Sequence, residues 1–220
     1  MPVLELAQGD SGTGFVASGS AGTVFSSAPP AGSTVVLDIF VFSGTANLVT
    51  GIASAIGTFV KLSSYAAMGQ DGEQWICYRA SGSGTTVTNT TTGALGTMTH
   101  ATSYSGVGSA VAITSTAGTS TTPSMTFPSA PAGSAVSAWC MTANTITGYP
   151  SSPWSNYTAG FVTAVNGFGT SYEIYTATPT LAASWTQTSG TWFVIGVLLI
   201  PWISPAPLIR SQAVQRASSR

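Results

Sequence analysis

Short runs of apolar and β-branched residues alternate along this chain with stretches of Gly, Pro, Ser and Thr. Runs of this kind, bounded by turn-forming residues, are typical of β-strands, and no helical period is visible before the C-terminus. Their number and spacing predict an all-β fold, an antiparallel β-sandwich of jelly-roll type. The predicted strands are Val35–Phe42, Gln74–Arg79, Thr85–Thr90, Thr97–Tyr104, Ala135–Thr142, Gly160–Val165, Tyr172–Thr176 and Thr191–Pro201.

Two parts of the sequence resemble each other. Ser27–Val35 (SAPPAGSTV) leads into one strong strand, and Ser129–Val136 (SAPAGSAV) leads into another. In both, Pro and Gly place a turn directly before the strand. Glu73–Tyr78 (EQWICY) has a later counterpart in Tyr172–Tyr175 (YEIY). We interpret this as two pseudo-repeated halves; the alternative is chance similarity in a chain built from few residue types.

The aromatic and aliphatic content is high enough for a sizeable core, with 44% hydrophobic residues, six Trp, seven Tyr and nine Phe. The longest apolar run, Trp192–Ile203, contains Gly196 and Pro201 and is shorter than the roughly 20 residues of a membrane-spanning helix. We therefore expect a buried strand there and a single domain over residues 1–203. The predicted core residues are Phe40, Phe42, Trp75, Trp139, Phe161, Tyr175, Trp192 and Val194.

Charge is scarce, with five basic and six acidic residues in 220. An ordinary soluble domain carries about a quarter charged residues. Three of the basic residues are arginines in the last eleven positions, so the rest of the chain has a net charge of −4. A surface made of Ser, Thr, Gly and Ala offers little charge repulsion between copies. We expect a cyclic homo-oligomer, a trimer as first choice, or a subunit packed among other proteins.

Candidates for catalysis are few. His100 is the only histidine, and no complete Gly-x-Ser-x-Gly nucleophile motif occurs. Asp71, Glu73 and Glu173 are the only carboxylates that suggest a glycosidase pair, but the internal similarity accounts for the matching places of Glu73 and Glu173. No cluster suits a metal, and an acidic body disfavours nucleic acid. The sequence predicts a non-enzyme without a cofactor or metal.

Cys77 and Cys140 both lie in strand-like runs. The N-terminal sequence lacks the basic start and apolar run of a secretory signal, which predicts synthesis in a reducing compartment. We therefore expect two buried free thiols in preference to a disulfide.

One internal segment suggests contact with a ligand or a neighbouring subunit. Residues 149–157 (YPSSPWSNY) place Tyr149, Trp154 and Tyr157 in a Pro-rich, turn-forming stretch. Exposed aromatic rings there suit stacking on a glycan or packing on another subunit. The alternative is that Trp154 folds back onto the core.

The C-terminal residues 204–220 differ in character from the rest. Pro205 and Pro207 favour an extended path, and apolar and basic residues follow. We expect an interaction arm that docks on an acidic neighbour; the alternative is a frayed terminus. The expected contact residues are Leu208, Ile209, Arg210, Val214, Arg216 and Arg220.

Four segments carry a family resemblance: Val35–Gly44 (VVLDIFVFSG), Tyr104–Val107 (YSGV), Gly196–Pro201 (GVLLIP) and Ile209–Ser218 (IRSQAVQRAS). Together they resemble β-sandwich virion proteins of tailed phages that infect actinobacteria, usually labelled minor tail proteins. Some related sandwiches decorate capsids. The resemblance implies a structural protein, made in the host cytoplasm and assembled into the virion with other virion proteins. A carbohydrate-binding module that contacts the host envelope and, third, a glycan-degrading enzyme are the alternatives.

Overall fold

The computed structural model describes residues 5–10, 20–42, 48–67, 70–92, 96–142, 144–151, 155–157, 162–163, 166–174 and 181–202. In these residues the regular structure is entirely β. The strands are β1 (Glu5–Asp10), β2 (Ser20–Val24), β3 (Thr34–Phe42), β4 (Val49–Ser54), β5 (Val60–Ala67), β6 (Gln70–Cys77), β7 (Thr86–Thr91), β8 (Gly96–Ser105), β9 (Val107–Ser120), β10 (Ser124–Phe127), β11 (Ala135–Thr142), β12 (Ile146–Gly148), β13 (Ser155–Tyr157), β14 (Val162–Thr163), β15 (Asn166–Ile174), β16 (Leu181–Ser184), β17 (Thr186–Gln187) and β18 (Gly190–Pro201).

Two large antiparallel sheets organise the chain. Sheet 1 has the order β1-β8-β3-β6-β5, and sheet 2 has the order β13-β15-β11-β18-β9, with β14 also paired to β15. The small sheets are β2-β7-β4, β10-β16 and β12-β17. Strands β1–β8 form sheet 1 and the first small sheet, and strands β9–β18 form the rest. We call these two sets the first half and the second half.

The central strands β3 and β11 are buried on both faces, which explains why their sequences are almost continuously apolar. In β3, Val35, Leu37, Ile39 and Val41 point into the first half. Alternate residues point the other way, and Phe40 packs with residues of sheet 2.

Sheets 1 and 2 therefore pack face to face. Trp139 of β11 lies against Phe193 of β18, with ring centroids 5.5 Å apart, in one cluster with Phe40. Gly72 of β6 makes room for them: a Cβ there would lie 2.5 Å from Cη2 of Trp139 and 2.7 Å from Cε2 of Phe193. A side chain at position 72 is thus excluded by the close approach of the two sheets.

The outer face of each large sheet is covered by the small sheets of its own half. The first-half interior joins Phe25, Val49 and Val87 to the odd-numbered residues of β3. The second-half interior joins Phe127 and Trp185 to β11 and β18. The layers are, in order, small sheet, sheet 1, sheet 2 and small sheets.

The all-β prediction is confirmed, and the bounds of β11 match the predicted strand. Phe40, Trp139, Trp192 and Val194 are buried as expected, and Trp75 is half-buried against the first-half interior. The side chain of Phe42, together with Phe161 and Tyr175, lies outside the described part. The strands that the sequence patterns did not predict include β9, β4 and β5, whose polar and small residues lack a clear alternation.

Candidate interaction surface and buried ionic clusters

Strand β9 forms one edge of sheet 2. It is fourteen residues long and pairs with β18 from Val107 opposite Pro201 to Ser120 opposite Gly190. No other described strand pairs with it. None of its described side chains is buried, and Val111 is 46% exposed. Within the described residues, the outer side of β9 therefore has no strand paired to it.

This edge lacks two of the usual protections against strand addition, charged residues and proline, although its register with β18 shifts at two places. Natural sheet edges are kept apart by Lys, Pro, inward-pointing charges or a short strand. Residues 107–120 (VGSAVAITSTAGTS) contain neither a charged residue nor a proline. One outward N–H is already capped, because Ala110 donates its amide proton to Oη of Tyr78 at 3.2 Å. Because the N–H groups of successive residues in a strand point to opposite sides, the amide of Ala112, two residues after Ala110, points outward too.

The most charged site of the described chain lies inside the first half. Glu73 of β6 is fully buried and accepts hydrogen bonds from Nε1 of Trp75 at 2.7 Å and from the amide of Val49 at 3.4 Å. Nζ of Lys61 lies 2.8 Å from Oε2 of Glu73 and 5.2 Å from the centroid of the Trp75 ring. Lys61 thus neutralises Glu73 from the surface, with 27% of its side chain exposed.

Asp71 lies two residues before Glu73 on the same face of β6 and is also fully buried. Its Oδ2 accepts a hydrogen bond from the amide of Leu48 at 3.1 Å. Burial, opposed by that hydrogen bond and aided by the charge of Glu73, raises the pKa of Asp71 from 3.8 to about 6. The two carboxyls are close enough to interact, as a glycosidase pair would be, but both are enclosed by the sheets. Their hydrogen bonds attach Leu48 and Val49, the first residue of β4, to β6.

A second polar cluster lies between sheets 1 and 2. Asp38 of β3 accepts a hydrogen bond from Nε2 of Gln74 at 2.9 Å, and its Oδ2 lies 3.8 Å from Nδ1 of His100. Thr102 Oγ1 lies 3.5 Å from the same histidine nitrogen. All four side chains are buried. The only histidine of the chain is therefore a core residue with a carboxylate beside it.

The predicted contact residues are only partly visible. Tyr149 is half-buried and packs against the second-half interior, and burial raises the pKa of its hydroxyl. Trp154 and the side chain of Tyr157 lie outside the described residues, so their predicted role stays a prediction. The same holds for residues 204–220, the predicted arm. Glu173 belongs to β15, opposite Val136 of β11.

The two thiols behave as predicted. Cys77 and Cys140 are both buried and unbridged. Burial raises the pKa of the Cys77 thiol and raises that of Cys140 further. A thiol with a raised pKa is a poor nucleophile and a poor metal ligand at neutral pH. Within the described residues no group of three or more His, Cys, Asp or Glu is placed to bind a metal.

Comparison with protein-family models, with curated protein sequences and with solved structures finds no match to this chain. The described segments include no helix long and apolar enough to span a membrane.

Proposed function

We propose that this chain is a structural component of a tailed-phage particle, a minor tail protein that assembles with copies of itself and with other virion proteins. The observation that carries this proposal is the uncharged, proline-free edge strand β9 on a body with few charged residues. A free monomer with such an edge is prone to association. In a particle, the same edge is useful because a neighbouring subunit covers it.

The proposal also covers how the strands of the all-β fold are arranged. We infer that the chain is a jelly-roll-like sandwich and that its two halves are pseudo-repeats. Sheet 1 has the order β1-β8-β3-β6-β5, so it begins with the first, last and third strands of the first half. Read from its edge strand β9, sheet 2 has the order β9-β18-β11-β15-β13. It too begins with the first, last and third strands of its half. The strands β4 and β12 also share a Thr-Gly pair, at Thr50–Gly51 and Thr147–Gly148. Jelly rolls are common in capsid proteins, which favours a structural role.

A structural, non-enzymatic role is also supported by the state of the acidic residues. Asp71 and Glu73, the pair that most resembles hydrolase chemistry, have no exposed surface. A glycosidase needs its two carboxyls on either side of a bound substrate. Here the space around them is filled by Trp75, Lys61 and the segment at residues 48–49.

Immunogold labelling tests the virion role directly. An antibody raised against the recombinant chain is applied to particles purified from the source culture. Label on the tail is expected; label on the head supports capsid decoration instead, and unlabelled particles contradict the proposal.

A chain truncated after Ile203 is then tested for incorporation, because we propose that residues 204–220 anchor the subunit. Incorporation equal to that of the full chain contradicts the role of the arm.

Self-association through β9 has a separate test. Ala112→Pro removes one outward N–H while leaving the bonds to β18 in place, and Ala112→Ser is the matched control that keeps the amide. We expect light scattering to show an oligomer for the wild type and Ala112→Ser, and a smaller species for Ala112→Pro. A monomeric wild type at high concentration contradicts pairing between copies.

A further inference from the structure

A cavity of about 320 Å³ opens where the two halves meet. It lies beside the start of β3, the end of β6, the start of β9 and the end of β18. Its volume is at the small end of the range for ligand sites, about 300–1,000 Å³. The lining residues are Gly32, Thr34, Tyr78, Arg79, Val107, Gly108 and Trp202. We call this cavity the junction groove.

Two aromatic rings of the junction groove are exposed and anchored. Tyr78 is 42% exposed and Trp202 is 56% exposed. Oη of Tyr78 is fixed by the amide of Ala110, and the amide of Trp202 donates to the carbonyl of Gly106 at 2.7 Å. Gly108 lets the Trp202 backbone come close, because a Cβ there would lie 2.9 Å from Cα of Trp202. The aromatic rings are thus attached to fixed backbone and present apolar surface to solvent.

The groove also contains a cation that has no carboxylate partner in the part of the chain that the structure describes. Arg79 is exposed and forms no ion pair with any described residue, whereas Lys61 is bound to Glu73. Its backbone has a φ of 57°, which L-residues with a bulky side chain rarely adopt. The segment is fastened on its C-terminal side, since Gly32 N–H bonds to Ala80 O at 2.8 Å and Ala80 N–H bonds to Ser33 O at 2.7 Å. Backbone strain of this kind persists where the surroundings impose it, often at ligand sites.

We propose that the junction groove binds a saccharide that carries a carboxylate. The Arg79 guanidinium matches a carboxylate with two parallel hydrogen bonds, and the rings of Tyr78 and Trp202 offer flat faces for the C–H surface of a sugar. Apart from Thr34 and Val107 the remaining lining is glycine, so the groove lacks the apolar side-chain pocket that an acidic peptide would use for specificity. The site does not depend on a virion role.

Calorimetric titration with the trimer of galacturonic acid and with its neutral methyl ester tests the proposal. We expect the acidic trimer to bind the full chain, and the ester to bind about tenfold more weakly or worse, because a hydrogen bond to a charged group is lost. Arg79→Gln is expected to remove this preference while leaving weak binding of the ester. Trp202→Ala is expected to abolish binding of both ligands.

Val60→Ala is the matched control, since Val60 is 51% exposed on β5 and does not line the groove. Circular dichroism and thermal unfolding establish that each variant is folded. No binding of the acidic trimer by the wild type overturns the proposal. Equal binding of acid and ester, or an unchanged preference in folded Arg79→Gln, overturns the role of Arg79. An acidic peptide such as tri-glutamate is titrated as well. If it binds the wild type more tightly than the acidic trimer does, and Arg79→Gln loses this binding, the saccharide assignment is overturned.

Discussion

The interiors of the two halves differ in one respect that their strand orders do not suggest. The first half encloses Asp71 and Glu73 beside its apolar cluster, and Asp38 and His100 on the other face of sheet 1. In the second half, the buried side chains that the structure describes include no charged residue. Its interior is built from groups such as Phe127 and Trp185. One arrangement of strands thus accommodates both kinds of core.

The difference shows where charge is tolerated inside a sheet protein. A buried carboxylate is destabilising unless hydrogen bonds and an opposite charge compensate. Glu73 has both kinds of partner, because Lys61 reaches it from the edge strand β5. Asp71 is desolvated by burial, has a like-charged neighbour and accepts one backbone hydrogen bond, so its pKa is raised instead. In mild acid and at neutral pH the stability of the first half should therefore depend on pH, whereas Cys140 and Tyr149 of the second half titrate only in the alkaline range.

Removing a large side chain from the apolar interior should have the largest effect. Trp185 is 1% exposed, and its Nε1 has no acceptor among the described residues. Trp185→Ala should lower the free energy of unfolding by about 3–5 kcal/mol, through lost burial and the cavity left behind. Urea titrations at pH 5 and pH 7 should give the same loss. Trp185→Phe is the control and should cost far less; a loss that varies strongly with pH contradicts an uncharged interior.

The ionic cluster of the first half comes next. Glu73→Ala leaves the N–H groups of Trp75 and Val49 without their acceptor and Lys61 without its partner. We expect a loss of about 2–3 kcal/mol, moderated because Lys61 is partly exposed. Glu73→Gln retains an oxygen acceptor and should lose less. If chemical denaturation shows equal losses for both variants, the hydrogen bonds at Glu73 contribute nothing.

Asp71 should make the protein more stable in mild acid. Its pKa is higher in the folded chain, about 6 against 3.8, so folding takes up a proton between these values. The contribution is complete below about pH 4 and is lost as pH rises through about 6, amounting to at most about 3 kcal/mol. Asp71→Asn should remove this dependence and raise stability at pH 7. Thermal unfolding between pH 4.5 and pH 7.5 measures it, and an Asn variant that keeps the wild-type slope disproves the assignment.

The smallest effect concerns backbone strain, which also distinguishes the halves. Arg79 is the only described non-glycine residue with a positive φ, and it belongs to the first half. Arg79→Gly should raise the free energy of unfolding by up to about 1 kcal/mol, because glycine adopts this conformation without a Cβ clash. Arg79→Ala is the control that loses the side chain but retains the strain. Equal melting temperatures for the two variants would show that the strain is negligible.

The sequence predicted best the strands that are buried on both sides. In β3, β11 and β18 each face meets another sheet, so both alternate sets of residues are apolar and the runs are unmistakable. Strand β9 was missed because none of its described side chains is fully buried and its conformation is set by pairing with β18. Its residues Gly, Ser, Ala and Thr carry no periodic signal.

The sites were harder to predict, for two physical reasons. Asp71 and Glu73 were two of three candidate carboxylates in the sequence, but their burial depends on Lys61 and on amides at residues 48 and 49, which no local pattern reveals. The junction groove joins Tyr78 and Arg79 to Trp202, and only the packing of the two halves brings them together. Distant residues of this kind become neighbours through topology, which a single sequence does not specify.

The face-to-face contact of sheets 1 and 2 also has a consequence for synthesis on the ribosome. All strands of sheet 1 lie in residues 5–105, so this sheet is able to close before the second half has been made. Its Val36, Phe40 and Ile76 side chains then face water until β11 and β18 arrive. At about 5–20 residues per second, that delay lasts several seconds. During it the nascent chain presents an apolar sheet, and a chaperone that shields this sheet would raise the yield of folded protein.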